Sequence, residues 1–132
     1  MKTYELYHAL LKPSWAPPPW IFTPVWTTIY ILMAISFGYV INLYMVGVFS
    51  FSILLPFVLN LFFNFSFTLL QFKIRNNVLS LIDVILVWVT LVWMMFIIYE
   101  LVPWVVYMNI PYLIWVTYAV ALQATITHLN RD

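Results

Sequence analysis

The sequence predicts an all-α integral membrane protein, an antiparallel four-helix transmembrane bundle, and three observations lead there. Of its 132 residues 66% are hydrophobic, 20% aromatic and 7% charged, whereas soluble domains carry about 25% charged residues. The apolar residues gather into four runs, 24–43, 49–71, 77–99 and 104–128, each near the ~20 residues that cross a hydrocarbon core at ~1.5 Å per residue. All five basic residues fall at one set of helix ends. In water such a chain, with a mean hydropathy of +1.03, would lack the polar residues to cover its core. In lipid, helices satisfy their own backbone groups and an apolar exterior meets its solvent.

The elements follow in order. Residues 12–22, KPSWAPPPWIF, hold four prolines and two tryptophans and form a stiff passage into the first span. Thr23 before Pro24 reads as a helix cap with proline at the first helical position, where its missing N–H costs nothing. The second and fourth spans contain Pro56 and Pro111, which membrane helices tolerate because neighbouring groups re-satisfy the freed carbonyls, so bends are expected there. The connections 44–48, 72–76 and 100–103 are short enough to make consecutive helices antiparallel neighbours. The chain is therefore a single domain over residues 1–132.

Charge sets the orientation. Lys2 and Lys12 precede the first span, Lys73 and Arg75 join the second to the third, Arg131 follows the fourth, and the opposite loops carry only Glu100. The positive-inside rule then puts both ends of the chain in the cytoplasm, in a multi-pass protein of the cytoplasmic (inner) membrane. Trp20, Tyr99 and Trp104 suit the interfacial aromatic belt. There is no cysteine, hence no disulfide or thiolate metal site. Met1 to Lys12 lacks the features of a secretory signal.

Few residues inside the spans can do chemistry. Asn60 and Asn64 share one helix face, continued by Phe67 and Gln71; buried amides at membrane depth either tie helices together or orient a ligand. Asp83 lies about 9 Å along its helix from Asn77, and an intramembrane acid is a functional candidate by default. It reads as a proton or cation site, a ligand contact, or a buried group bonded to another helix. Tyr112, Trp115, Ala119 and Gln123 line one face of the last span, bulky at one end and small in the middle. Trp26, Tyr30, Met33 and Phe37 follow the same rhythm on the first, so the two faces either pack on each other or close around a flat apolar molecule. His8 and His128 have no partners at metal-ligand spacing, which argues against a metal. No phosphate loop, nucleophile triad or basic patch for nucleic acid is present. No catalytic residue is expected, and no obligatory cofactor.

Several stretches resemble the TspO/translocator protein (tryptophan-rich sensory protein, peripheral benzodiazepine receptor) family: LYHALLKPSWAPPPWIFTPVWTTIYILMAIS, LNLFFNFSF, SLIDVILVW and PYLIWVTYAVALQATITHLN, in that order and over nearly the whole chain. The resemblance implies the five-helix fold of that family, here minus helix 1 because no span precedes Tyr7, and a homodimer. It further implies a pocket for tetrapyrroles such as porphyrin or haem, for sterols and for benzodiazepine-type ligands, capped by the KPSWAPP loop. By the same resemblance Tyr7, Pro17, Trp26, Asn64, Trp115 and Ala119 line the cavity; Tyr30 and Phe67, which share helix faces with Trp26 and Asn64 by spacing, are expected to contact the ligand beside them. In some bacterial members the pocket tryptophans, here Trp26 and Trp115, are linked to light-dependent porphyrin breakdown. Leu6 stands where the family has a tryptophan, Gln123 where it has an asparagine, and the animal members' cholesterol-recognition element is absent, so a tetrapyrrole is favoured over a sterol.

Three activities fit these residues: a membrane receptor that binds a tetrapyrrole for sensing, transport or scavenging; a small proton-coupled exporter using Asp83; and a light-dependent porphyrin-degrading enzyme acting through Trp26 and Trp115. Asp83→Asn would abolish efflux in the second, and turnover beyond one equivalent per chain marks the third.

Overall fold

A computed structural model describes residues 19–70 and 76–129. The chain enters through a short 3₁₀ turn, Pro19–Ile21, that runs directly into α1, Phe22–Met45. α2 follows at Phe51–Thr68, α3 at Asn77–Ile98, α4 at Pro103–Met108 and α5 at Ile110–Leu129. Among the described residues there is no strand. α1, α3 and α5 are each long and apolar enough to cross a membrane. The 18 residues of α2 rise about 27 Å, and this shorter apolar helix packs lengthwise on α3.

The start of α1 corrects the expected cap. Ile21, with φ −71° and ψ −28°, occupies the cap position, and no side chain caps the helix. The 3₁₀ turn already supplies helical backbone there, so Thr23 falls inside the first turn. Pro24 is the third helical residue, still among the N–H groups that lack an intrahelical partner. At the other end α1 closes in a Schellman motif: Val48 N–H donates to Leu43 (2.9 Å) and Gly47 N–H to Tyr44 (3.1 Å). Gly47 sits at φ +85°, the left-handed position for which glycine has no Cβ penalty.

The two internal prolines behave differently. α2 runs unbroken through Pro56. Before Pro111, however, the fourth expected span is interrupted at Asn109 (φ −97°, ψ 3°), which separates α4 from α5. Pro111 has no N–H to continue the ladder, and its ring crowds the carbonyl four residues back. Asn109 compensates locally, its Nδ2 donating to the Val105 carbonyl at 2.8 Å and to Ser36 Oγ of α1 at 3.1 Å. The same amide thus satisfies the broken turn and fastens it to the first helix.

α3 is the central helix, packed along α2 and α5, while α1 meets α2 and α4 over shorter stretches. Its inner stripe, Asp83, Val84, Val87, Thr90, Leu91, Met94 and Ile98, is buried. α1 contributes Ile29, Met33, Phe37 and Val40, with Phe37 edge-on to Phe57 of α2 at 5.1 Å. Hydrogen bonds set the register. Asn60 of α2 reaches Val87 and Thr90 of α3, and Trp88 Nε1 of α3 donates to Thr117 Oγ1 of α5 at 2.9 Å. Near the start of α3, Gln123 and Thr127 both donate to the Asn77 carbonyl. Polarity is arranged for lipid: Ser36, Asn60, Asn64, Ser80, Asp83, Thr90, Asn109 and Gln123 are buried, while Ile31, Ile35, Phe62, Phe65, Ile82, Phe96 and Ile114 face outward. Small and amide side chains inside an apolar exterior are the usual means of holding membrane helices together.

Candidate functional site

α1, α2 and α5 bring together a cluster of rings and amides. Trp26 stacks on Tyr30 one turn later (5.4 Å, 28°) and meets Trp115 of α5 edge-on at 6.4 Å and 88°. Trp115 also meets Phe22 at 5.9 Å and Tyr118 at 5.7 Å, both nearly perpendicular. The i, i+4 spacing within α1 places Trp26 and Tyr30 on one face, and perpendicular rings adopt the favoured edge-to-face geometry. Trp26 and Trp115 are both half-buried, so part of each ring remains accessible.

A chain of hydrogen bonds backs this aromatic wall. The Tyr30 hydroxyl donates to Asn64 Oδ1 (3.0 Å), Asn64 Nδ2 donates to the Tyr112 hydroxyl (2.8 Å), and Tyr112 donates to Asn60 Oδ1 (2.8 Å). Asn60 Nδ2 completes the path to the Val87 carbonyl (3.1 Å) and Thr90 Oγ1 (3.2 Å) of α3. Every link runs donor to acceptor in one direction, from α1 through α2, α5 and α2 again to α3. Such a chain fixes the Tyr30 ring and, through stacking, Trp26.

Among the predicted residues the structure thus assembles Trp26, Tyr30, Asn64 and Trp115. Phe67 and Ala119 are half-buried against the same core. Tyr7 and Pro17 lie outside the described residues, as do His8, all five basic residues and 12–18 of the proline-rich loop. Asn60 takes the bonding role, bridging α2 to α3. Gln123 is likewise used structurally, bonded to Asn77 and to Thr127 Oγ1. Asp83 is 5% exposed, and its Oδ2 has no hydrogen-bond partner among the described residues. Tyr112, 1% exposed, is the residue on which both asparagines converge; its stripe with Trp115 is visible in the sequence, its reach to α2 is not. Among the described residues no three metal-ligating side chains converge. An open groove of about 590 Å³ lies elsewhere, between Val92, Met95, Phe96, Tyr99, Glu100 and Leu113, and contains none of the predicted site residues.

Apolar spanning helices, buried polar side chains that tie them together and an aromatic cluster joining the first and last helices define the class: a helical integral membrane protein. The chain belongs to the TspO/MBR family, whose model matches residues 1–129. It is 36% identical over 130 residues to the tryptophan-rich protein TspO of Chlorobaculum tepidum, covering 94% of this chain and 78% of that protein. It is 32% identical to the tryptophan-rich sensory protein of Cereibacter sphaeroides, over 98% of this chain and 80% of that one. The human translocator protein is 29% identical, over 95% of this chain and 75% of its own length.

Proposed function

We propose that the chain is a receptor for a flat tetrapyrrole, porphyrin or haem, held between α1, α2 and α5 beneath the proline-rich loop and bound for sensing, transport or scavenging. The observation that carries this reading is the perpendicular Trp26–Trp115 pair, with Tyr30 stacked behind it and Asn64 anchoring Tyr30. Two large rings on different helices offer a macrocycle an offset face and an edge, each worth about 0.5–1.5 kcal/mol beyond area burial. Most of the affinity is apolar contact, with few polar groups fixing orientation. Asn64 spends one of its two N–H donors on Tyr112. Ala119, the small residue one turn beyond Trp115, leaves room beside the rings. Tyr7, Pro17 and Phe67 complete the lining in this reading. The chain works as a homodimer in the cytoplasmic membrane with both ends inside, and it needs no resident cofactor.

The test is titration of purified protein with protoporphyrin IX, followed by tryptophan fluorescence and porphyrin absorbance, in darkness and under illumination. Saturable quenching that is lost in Trp26→Ala and Trp115→Ala supports the site; quenching unchanged in both variants refutes it. Porphyrin loss in light beyond one equivalent per chain would turn the receptor into an enzyme using the same two tryptophans.

A further inference from the structure

Two buried side-chain oxygens lack a hydrogen-bond partner among the described residues, Asn109 Oδ1 at the α4–α5 break and Asp83 Oδ2 on the central helix, and Asp83 is the one that shares a helix face with the network behind the rings. Asp83 is almost wholly buried and its Oδ2 has no partner among the described residues, whereas the buried amides beside it, Asn60, Asn64 and Gln123, are all bonded. Its position follows from the register. Asn60 bonds Val87 and Thr90, so one turn further along these antiparallel helices Asn64 comes level with Asp83. On the other side, α5 is pinned to α3 at Thr117–Trp88 and at Gln123–Asn77. Thr127 donates to the same Asn77 carbonyl, and Asp83 lies about midway between Trp88 and Asn77, which brings it level with the turn of α5 from Ala119 to Leu122. Asn64, Asp83 and the Ala119–Leu122 turn therefore occupy one depth on three neighbouring helices, and that turn, with alanine at 119 and 121, directly follows Trp115 on its helix.

A carboxyl group taken from water without a hydrogen-bond partner is costly, more so in a bilayer than in a soluble core. Tyr30 donates to Asn64 Oδ1, Tyr112 to Asn60 Oδ1, and Asn60 to the Val87 carbonyl and Thr90 Oγ1, so none of these donors is directed at Asp83 Oδ2. We infer that Asp83 is the acceptor for a donor on the occupant: the ligands this site takes best are flat aromatic bases carrying a protonated amine or an N–H, which enters past Ala119 to reach Oδ2. The inference rests on the aromatic site proposed above and adds its polarity.

The test uses two probes with one ring system, 9-aminoacridine, protonated at neutral pH, and acridine, which is neutral there. Each is titrated in the same detergent against the full chain and against Asp83→Asn and Asp83→Glu. Wild type should bind 9-aminoacridine about tenfold or more tighter than acridine, as expected for a hydrogen bond to a charged group. Asp83→Asn should bring the two affinities together, by loss of the amine's advantage alone, and Asp83→Glu should keep it. A wild-type ratio near one, or a ratio unchanged in Asp83→Asn, overturns the inference. Should Asp83→Asn fail to fold, Asp83→Ser is read in the same way, and the wild-type ratio stands on its own. Protoporphyrin titrated in parallel separates the two readings: absence of porphyrin binding with the amine preference intact refutes only the tetrapyrrole.

Discussion

Tyr112→Phe removes one oxygen from the centre of the bundle and leaves every ring in place. The hydroxyl accepts from Asn64 Nδ2 and donates to Asn60 Oδ1, both at 2.8 Å, in a residue 1% exposed. Phenylalanine fills the same space, so no cavity term enters. What is lost is two hydrogen bonds, and two amide atoms are stranded away from water. Bonds between membrane helices average about 0.6 kcal/mol each, which puts the expected loss at about 1.2 kcal/mol. If the stranded amides bear the penalty typical of buried groups, about 1–3 kcal/mol apiece, the loss is larger. The substitution should also loosen Tyr30, because Asn64 is held from both sides. The assay is equilibrium unfolding in mixed micelles by titration with denaturing detergent, followed by far-ultraviolet circular dichroism, with Asn64→Ala and the double variant completing a cycle. A coupling of about 0.5 kcal/mol or more between positions 64 and 112 is expected. Wild-type stability in Tyr112→Phe, within about 0.3 kcal/mol, together with additive effects in the cycle, would refute the view that this network holds the bundle together.

Other substitutions separate turn, break and tie. Gly47→Ala places a Cβ at φ +85° and should cost about 1 kcal/mol, whereas Gly38→Ala, inside α1 with open space around it, should stabilise by up to about 1 kcal/mol; thermal unfolding in detergent reads both. Asn109→Ala frees Ser36 and the Val105 carbonyl together and should destabilise by about 1 kcal/mol or more, with faster amide exchange at 103–113. Gln123→Ala should cost less, about 0.6 kcal/mol at most, because Thr127 keeps its own bond to the Asn77 carbonyl at 3.1 Å.

Much of this architecture is legible in the sequence because lipid imposes a simple rule. Length and hydropathy locate the helices, and helical spacing identifies Asn60 with Asn64 and Trp26 with Tyr30 as shared faces. The partners of those faces are not legible. Asn64 meets Tyr112 across 48 positions, and no local pattern states which helix lies opposite. The family motifs supply that information for Trp26 and Trp115, which periodicity alone leaves between packing and pocket. Prolines show the same limit. Pro56 and Pro111 look alike in the sequence, yet one helix continues and the other breaks. The interrupted turn is stabilised there by Asn109, whose amide takes both the Val105 carbonyl and Ser36. The start of α1 departs from the Thr23 cap because the proline-rich passage ends in a 3₁₀ turn, so helical geometry begins before the residue that resembles a cap.

In the proposed receptor the ligand sits on the ring pair between the first and last helices. Titration of the full chain in darkness with protoporphyrin IX, comparing wild type with the Trp26→Phe, Trp115→Phe double variant, measures this directly: both proteins keep an apolar bundle, and only one keeps the indoles. Saturation at one porphyrin per chain in wild type, with affinity reduced about tenfold or more in the double variant, is the predicted result. Equal affinity and equal stoichiometry in the two proteins would contradict it.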